Sequence, residues 1–373
     1  MGIRVGIVGA SPDRGWARAS HLPALGHLDE FEVTAVATTR QASAERAAEM
    51  YGIPHAFADA GQLADHPDVD LVVVSVKAPD HAKAIQAALA AGKHVFSEWP
   101  LGVDLAEAVA LAEAATAAGV VHAVNLQSSP EARFVKDLLA EGRIGRIESV
   151  GIITAGDPLG GSRILRDLVW SADRAQGNHL LSIMAGHTVA TIEQLVGPLA
   201  EVSAAAVANL NDHVVVAETG ETIVKSAPDQ LALLGRLAAG GVLSVSIQGG
   251  NALAPDGFLI KIAGTEGKLI IEPIEPTHYM NWGGWRIRVT AVDGTTAEAA
   301  VPARYRVVPD EVPAGPQASV ASLYREISQA ISERRPAHPS FHTAVRHHRL
   351  LEAIEQAAQT GRRQPIASED VNP

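Results

Sequence analysis

Lys77 and His187 are the titratable side chains whose places in this 373-residue sequence suit proton transfer. Lys77 follows the apolar run from Leu71 to Val76, so it falls at the carboxyl edge of a strand, where open parallel sheets bind their ligands. The alternative is an exposed strand-end charge. His187 belongs to the residue type whose unperturbed pKa of about 6.5 suits acid–base work near neutrality; on a buried helix it also reads as a hydrogen-bonded structural histidine. Between them lies Glu98-Trp99-Pro100. Trp99 cannot accept a proton near neutrality, because its indole N–H only donates. Its ring suits stacking on a sugar face or another flat ring.

A second group of residues points to a phosphate-bearing cofactor. The first strand-like run ends in Gly9-Ala10-Ser11-Pro12-Asp13-Arg14-Gly15-Trp16. A G-x-G-x-x-G fingerprint uses its glycines for the tight turn, for close approach to pyrophosphate and for helix–strand packing. Gly9 fits the first role, Ser11 stands at the second, and Gly15 fits the third with one extra residue in the turn. An ordinary strand-to-helix turn is the alternative for this stretch alone. The second run ends in Ala37-Thr38-Thr39-Arg40, without an acid. An acid there bonds the 2′-hydroxyl of NAD and repels the 2′-phosphate of NADP, whereas hydroxyls and a guanidinium can bind that phosphate. NADP is therefore expected, with NAD possible, unless Arg40 is a solvated first-turn residue. Trp16, Lys77, Glu98, Trp99 and Asn125 complete the expected cofactor set. Hydride removal belongs to the nicotinamide, and the protein supplies base and geometry. Gln127, Trp170, Asp173, Asn178, His179 and Ser182, with Trp99 and His187, offer amides, carboxylate, hydroxyl and rings to a hydroxyl-rich substrate.

The elements that position these residues follow from periodicity. Residues 3–8, 31–37, 70–76, 94–97 and 120–125 read as strands, with helices at 42–51, 80–91 and 104–118 between them. Apolar strands alternating with helices predict a doubly wound parallel sheet over residues 1–124. Beyond Asn125 the pattern changes. Helices are expected at 130–141, 179–196, 319–334 and 343–360, with strands at 147–155, 202–210, 230–237, 241–249, 258–263 and 268–271. Strand density and the hairpin link Ala238-Ala239-Gly240-Gly241 predict an α+β domain over 125–366, built on a large open, mainly antiparallel sheet. Residues 367–373 read as a polar tail.

Composition narrows the function classes. A hydrophobic content of 47% with 19% charged residues is that of a globular protein, and a net charge of −12 argues against nucleic acid or an anionic membrane as partner. With no cysteine there is no thiol nucleophile or cysteine-ligated metal. The N-terminus lacks the pattern of a signal peptide and no apolar run approaches a membrane span, so the cytoplasm is expected. Arg346-His347-His348-Arg349 reads as a helix surface, because its arginines would repel a cation; no metal is expected.

Several stretches together resemble the Gfo/Idh/MocA family of sugar and polyol oxidoreductases: Val5-Gly6-Ile7-Val8-Gly9, His21-Leu22-Pro23-Ala24-Leu25, Ala91-Gly92-Lys93-His94-Val95 with Glu98 and Pro100, Gly142-Arg143-Ile144-Gly145 and Gly264-Thr265-Glu266-Gly267. The resemblance runs from Ile3 to about Ile366. The longer phosphate turn, Glu98-Trp99-Pro100 and Gly186-His187-Thr188 are similar to a branch that includes the NADP-binding repressor of the yeast galactose regulon. The resemblance implies a Rossmann domain followed by an α+β domain whose open sheet forms oligomer contacts, hence a homodimer or larger homo-oligomer. It places the family's catalytic Lys at Trp99 and its His at His187. The family's D-x-x-x-H corresponds to Asn178-His179-Leu180-Leu181-Ser182 and then His187, with Ser182 near the Asp and one residue inserted; its further Asp is Ala190 here. Two functions are implied: an NADP-dependent oxidoreductase of a sugar or cyclic polyol with His187 as acid/base, or a non-catalytic NADP-binding sensor acting through a protein partner.

Overall fold

The structure is a computed structural model that describes residues 2–126, 129–156, 159–250, 257–277 and 279–366. Gln127 and the tail at 367–373 thus lie outside the described residues. The chain forms two compact units, Met1–Gln127 with Val307–Arg346, and Ser128–Arg306 with His347–Pro373.

The first unit is the expected parallel sheet. Its strands are β1 (Ile3–Val8), β2 (Phe31–Ala37), β3 (His55–Phe57), β4 (Leu71–Val74), β5 (His94–Ser97) and β6 (His122–Val124), in the order β3-β2-β1-β4-β5-β6. All neighbours run parallel. The order reverses between β1 and β4, the point where such sheets open a crevice at their carboxyl ends. The helices are α1 (Leu22–Leu25), α2 (Gln41–Tyr51), α3 (Ala60–Asp65), α4 (His81–Ala90) and α5 (Leu105–Ala118). Local chemistry sets their ends. The Asp104 side chain accepts from the Glu107 N–H (2.9 Å) to start α5, and Gly119 in the left-handed region (φ 66°) stops it. β3 and α3 escape the periodicity because they are only three and six residues long.

The second unit opens with α6 (Pro130–Ala140) and contains β7 (Ile147–Ala155), β8 (Arg163–Ile164), β9 (Leu199–Ala208), β10 (His213–Val216), β11 (Thr222–Val224), β12 (Gln230–Leu237), β13 (Val242–Gln248), β14 (Phe258–Gly264), β15 (Gly267–Pro273), β16 (Trp285–Ala291), β17 (Thr296–Glu298) and β18 (Gln364–Pro365). Nine of these make one sheet, ordered β17-β16-β15-β14-β7-β13-β12-β9-β18, and β11-β10-β8 make a small second sheet. The large sheet is antiparallel except for the β7–β13 pair, which is parallel. The link from Ala238 to Gly241 joins β12 and β13 as expected, with Gly240 and Gly241 both at positive φ (92° and 95°). Along β12 burial alternates: Leu231, Leu233 and Leu237 face the core, whereas Leu234 is 53% exposed, on a face shared with Ile153 and Leu259. Helix α7 (Gly186–Val196) continues from a π-helical turn at Leu180–Ala185.

Two long helices follow, α8 (Pro316–Glu333) and α9 (Phe341–Thr360). Sequence patterning assigns α8 to the second domain, but it packs into the first unit's core: Val320, Tyr324 and Ile327 share a buried cluster with Val5, Phe31 and Phe96. In α9, His347 and His348 are only 4% and 7% exposed, so the expected helix surface is an inward face. His347 Nε2 lies 3.6 Å from a Glu193 carboxylate oxygen, giving that ring a polar partner on α7. Among the described residues no helix is long and apolar enough to cross a membrane.

His122, at the start of β6, accepts the Phe341 N–H at Nδ1 (3.1 Å). Burial, helped by the nearby His342, pushes its pKa down to about 4. The unfolded chain titrates near 6.5 and so binds this proton first as pH falls. Stability from this residue is therefore complete above about pH 6.5 and declines toward pH 4, by about 1.4 kcal/mol per pH unit inside that window. Denaturant titrations at pH 7 and pH 5 should show the decline, and His122→Gln should make it shallower, the rest coming from other buried histidines such as His179. An unchanged pH dependence in the variant would contradict this assignment.

Candidate active site

The first unit gathers the expected cofactor residues at the carboxyl ends of its strands. Gly9 leaves β1 with φ 101° and donates its N–H to the Ala37 carbonyl (2.8 Å). A Cβ there would stand 2.1 Å from the Ser75 carbonyl oxygen, so both backbone conformation and close approach demand glycine. The Ser11 N–H donates to the Gly9 carbonyl (2.9 Å), and Ser11 Oγ accepts from the Asp13 N–H (3.4 Å). Gly15 has φ 103° with open space around it, so its requirement is conformational alone. Trp16 heads the helical segment that leads into α1, and Ser20 Oγ donates to its carbonyl (2.8 Å). At the end of β2, Thr38 Oγ1 donates to the Arg40 carbonyl (3.0 Å), while Thr39 and Arg40 are exposed. Lys77 is exposed at the turn after β4.

A buried polar chain ties these ends together. The Glu98 N–H donates to the Val74 carbonyl (3.0 Å), extending the β4–β5 pairing. Its carboxylate, on a side chain 14% exposed, lies 2.6 Å from His21 Nε2 and accepts Asn125 Nδ2 at 2.8 and 3.0 Å. His21 Nδ1 is 2.7 Å from the hydroxyl of Tyr324 on α8. Burial, with the Glu98 charge nearby, pushes the Tyr324 ionisation well up. The Tyr324 hydroxyl and the Glu98 carboxylate thus face the two ring nitrogens of His21. Phe96 and Phe31 pack edge-on against Tyr324, with centroids 5.1 and 5.2 Å away. Trp99 is 4% exposed. Buried His81 approaches the carbonyls of Pro100 (2.9 Å) and Val76 (3.1 Å), and burial lowers its pKa, so its neutral ring spans the loops after β4 and β5.

In the second unit the expected substrate residues have local partners. His179 caps the π-helical turn: its Nδ1 accepts the Ser182 N–H (3.4 Å), while Ser182 Oγ accepts the His179 N–H (2.9 Å). Burial, aided by the Arg174 charge, lowers the His179 pKa to about 4. His187, 8% exposed on the first turn of α7, lies 6.0 Å from Tyr279 between ring centroids. Trp170 is half-buried and donates Nε1–H to the Asp167 carbonyl (2.9 Å); exposed Asp173 accepts the Ala175 N–H (3.0 Å). Asn178 is half-buried. A fully internal pair, Lys225 Nζ to Asp229 Oδ2 at 2.9 Å, has no counterpart in the sequence expectations. Neither has the role of Tyr324, which stands 303 positions from its partner His21. For His21 a signal existed in His21-Leu22-Pro23, without a function attached.

Residues 3–126 match the family model described as oxidoreductase family, NAD-binding Rossmann fold, and residues 130–273 match that of the Gal80p C-terminal domain. Dehydrogenase aclE of Aspergillus oryzae is 31% identical over 283 residues, covering 72% of this chain and 76% of that protein. The chain belongs to the Gfo/Idh/MocA oxidoreductase family. Among solved structures, a super-repressor mutant of Gal80p from Saccharomyces cerevisiae matches with a TM-score of 0.88 at 21% identity over 100% of both chains. Levoglucosan dehydrogenase in complex with NADH and L-sorbose matches with 0.84 at 21% identity, over 98% of this chain and 99% of that one. At this identity the matches establish fold: one Gfo/Idh/MocA architecture serves a regulator and an enzyme.

In this Gfo/Idh/MocA chain, Tyr324→Phe removes only the hydroxyl that satisfies His21. Leaving Nδ1 buried without a partner should cost about 1–3 kcal/mol in a urea titration. A variant as stable as wild type would show that the phenol carries no structural role.

Proposed function

We propose that this chain is an NADP-dependent oxidoreductase that transfers a hydride between nicotinamide and a sugar or cyclic polyol. The observation that carries this reading is the end of β2, where exposed Thr39 and Arg40 stand in place of an acid. The residues present fit the dinucleotide. The loop from Ser11 to Gly15 lies between two glycines at positive φ, and its acid, Asp13, is paired with Arg46 (2.6 Å). Gly9, Ser11, Gly15 and Trp16 would hold the pyrophosphate, Thr38, Thr39 and Arg40 the 2′-phosphate, and Lys77, Glu98, Trp99 and Asn125 the nicotinamide end. When bound, the dinucleotide supplies the hydride acceptor or donor. The protein's part is proton movement and orientation. Trp99 cannot take the alcohol proton, and Glu98 is already engaged by His21 and Asn125. His187 is the proposed proton acceptor, with Lys77 as a further candidate. Trp99 is proposed as a wall for the sugar ring, joined in orienting it by Trp170, Asp173, Asn178, His179 and Ser182.

Calorimetric titration should give tighter binding of NADPH than NADH. Arg40→Ala should weaken NADPH by about tenfold or more, through loss of a charge-assisted bond, and leave NADH nearly unchanged. Equal affinities in the wild type would sink the NADP assignment. In a sugar and polyol panel with NADP, His187→Ala should lower turnover by about 10²–10⁴-fold without changing cofactor affinity.

A second reading, a cofactor-dependent sensor without turnover, is favoured by Trp99 in place of the family lysine and by the match of residues 130–273 to the Gal80p C-terminal domain. Sugars that bind in the presence of NADP with no turnover in either direction would select it.

We also propose self-association through the outer face of the large sheet, where Ile153, Leu234 and Leu259 are 51%, 53% and 39% exposed. An apolar sheet face of this kind calls for a cover. Light scattering should give a dimer or larger assembly at micromolar concentration, and Leu234→Glu should shift it to monomer; a monomeric wild type would refute the interface.

A further inference from the structure

Three donors from separate segments of the first unit meet at the amino ends of the parallel strands, the end of the sheet opposite Gly9, Arg40 and Glu98. His55 opens β3, His66 closes α3 and Asp68 precedes β4. One ligand atom from each lies within 4.8 Å of the other two. His55 Nε2 stands 3.3 Å from Asp68 Oδ2, and the two imidazole rings are 4.0 Å apart between centroids, tilted by 43°. With zinc–nitrogen bonds of about 2.0–2.1 Å, tetrahedral geometry puts neighbouring donors about 3.3 Å apart. The His55–Asp68 pair already has that separation, and the third donor must close by a small side-chain rotation. All three side chains are half-buried, so they are reachable from solvent and free to make that rotation.

The surroundings leave one carboxylate oxygen for a cation. Arg4 Nη1 occupies Asp68 Oδ1 (3.0 Å), but the same guanidinium is also bound by Asp70 through Nε (2.9 Å) and Nη2 (2.7 Å), which offsets its charge. Lys93 Nζ donates to the carbonyls of His66 (3.3 Å) and Val69 (2.7 Å). Thr34 Oγ1 anchors the Asp68 carbonyl (2.5 Å), and Phe57 packs 5.5 Å from the His66 ring. The Asp68 N–H donates to His66 Nδ1 at 3.2 Å. Coordination by either nitrogen of His66 gives up that long hydrogen bond, since the ring must surrender its Nδ1 lone pair or move its proton there. Two imidazoles and one carboxylate select late first-row divalent ions over calcium or magnesium, which take oxygen ligands.

We propose that His55, His66 and Asp68 form a zinc-type divalent cation site that clips the short edge strand β3 to the chain entering β4. The sequence shows no such site because the three residues have no metal-motif spacing and α3 intervenes between His55 and His66. It is independent of the dinucleotide end and of any catalytic activity.

The test uses the full chain, stripped with a chelator and titrated with zinc chloride by calorimetry, with thermal melting in parallel. Cobalt(II) absorption reports the geometry. The chain has 15 histidines, so the reading is the difference between wild type and variants. Wild type is expected to bind one equivalent of zinc, to melt higher with zinc than without, and to give the intense visible bands of four-coordinate cobalt(II). His55→Gln and His66→Gln should each weaken zinc by at least about 100-fold, the upper range for loss of a mere outer-shell partner, and abolish the melting shift. Should either variant prove unfolded when metal-free, Asp68→Asn, which keeps the side chain's size and its backbone contacts, decides in the same way. No saturable zinc binding to wild type, or binding and melting shift that survive in the folded variants, would overturn the site.

Discussion

The carboxylate of Glu98 is the group on which the first unit's functional end depends. Its side chain is only 14% exposed, so protein donors must replace most of the hydration it loses. His21 Nε2 and Asn125 Nδ2 do this, and the Tyr324 hydroxyl holds His21 from its other ring nitrogen. Four segments are thereby held together: the helical segment after the phosphate turn, the loop after β5, the end of β6, and α8. Removing any member leaves a buried polar group unmatched, and such chains are worth more than their separate bonds. The position of Trp99 follows from this chain, because its backbone continues directly from Glu98 and its loop is gripped on the other side by His81 at Pro100.

What could be read from the sequence was what is local. Strands buried on both faces appear as apolar runs, and Leu71–Val74, all at 0% exposure, is the clearest. The glycine turn at Gly9, the acid-free end of β2 and the hairpin from β12 to β13 each lie within a few residues of their cause. Pairings between distant segments left no trace. The parallel β7–β13 pair joins strands separated by five others, and no turn residue announces it. Tyr324 has no local reason to belong with the first sheet; only the cluster it completes shows it. His347 and His348 read as surface because they are flanked by arginines, yet α9 turns them inward.

At the candidate site the division is similar. The glycine turn after β1 and the acid-free end of β2 are legible because they depend on backbone conformation and residue type at strand ends. His179 and Ser182 were expected to face a substrate as side-chain types, and the structure spends their hydrogen bonds on capping the turn that carries them toward His187. A polar residue near a helix start has two uses, and its type alone does not separate them.

The substitution at position 99 becomes intelligible from the saturation of Glu98. An ionised carboxylate has about four acceptor positions, and three contacts from His21 and Asn125 occupy most of them. The carboxylate is therefore supplied with donors without an ammonium in the adjacent position, so a lysine there is not required for the fold. A large apolar ring can take the site, as Trp99 does at 4% exposure, and leave the scaffold intact. The carboxylate of Glu98 and the ring beside it are thus separate parts of the loop after β5: one is held by His21 and Asn125, the other is packed away from solvent.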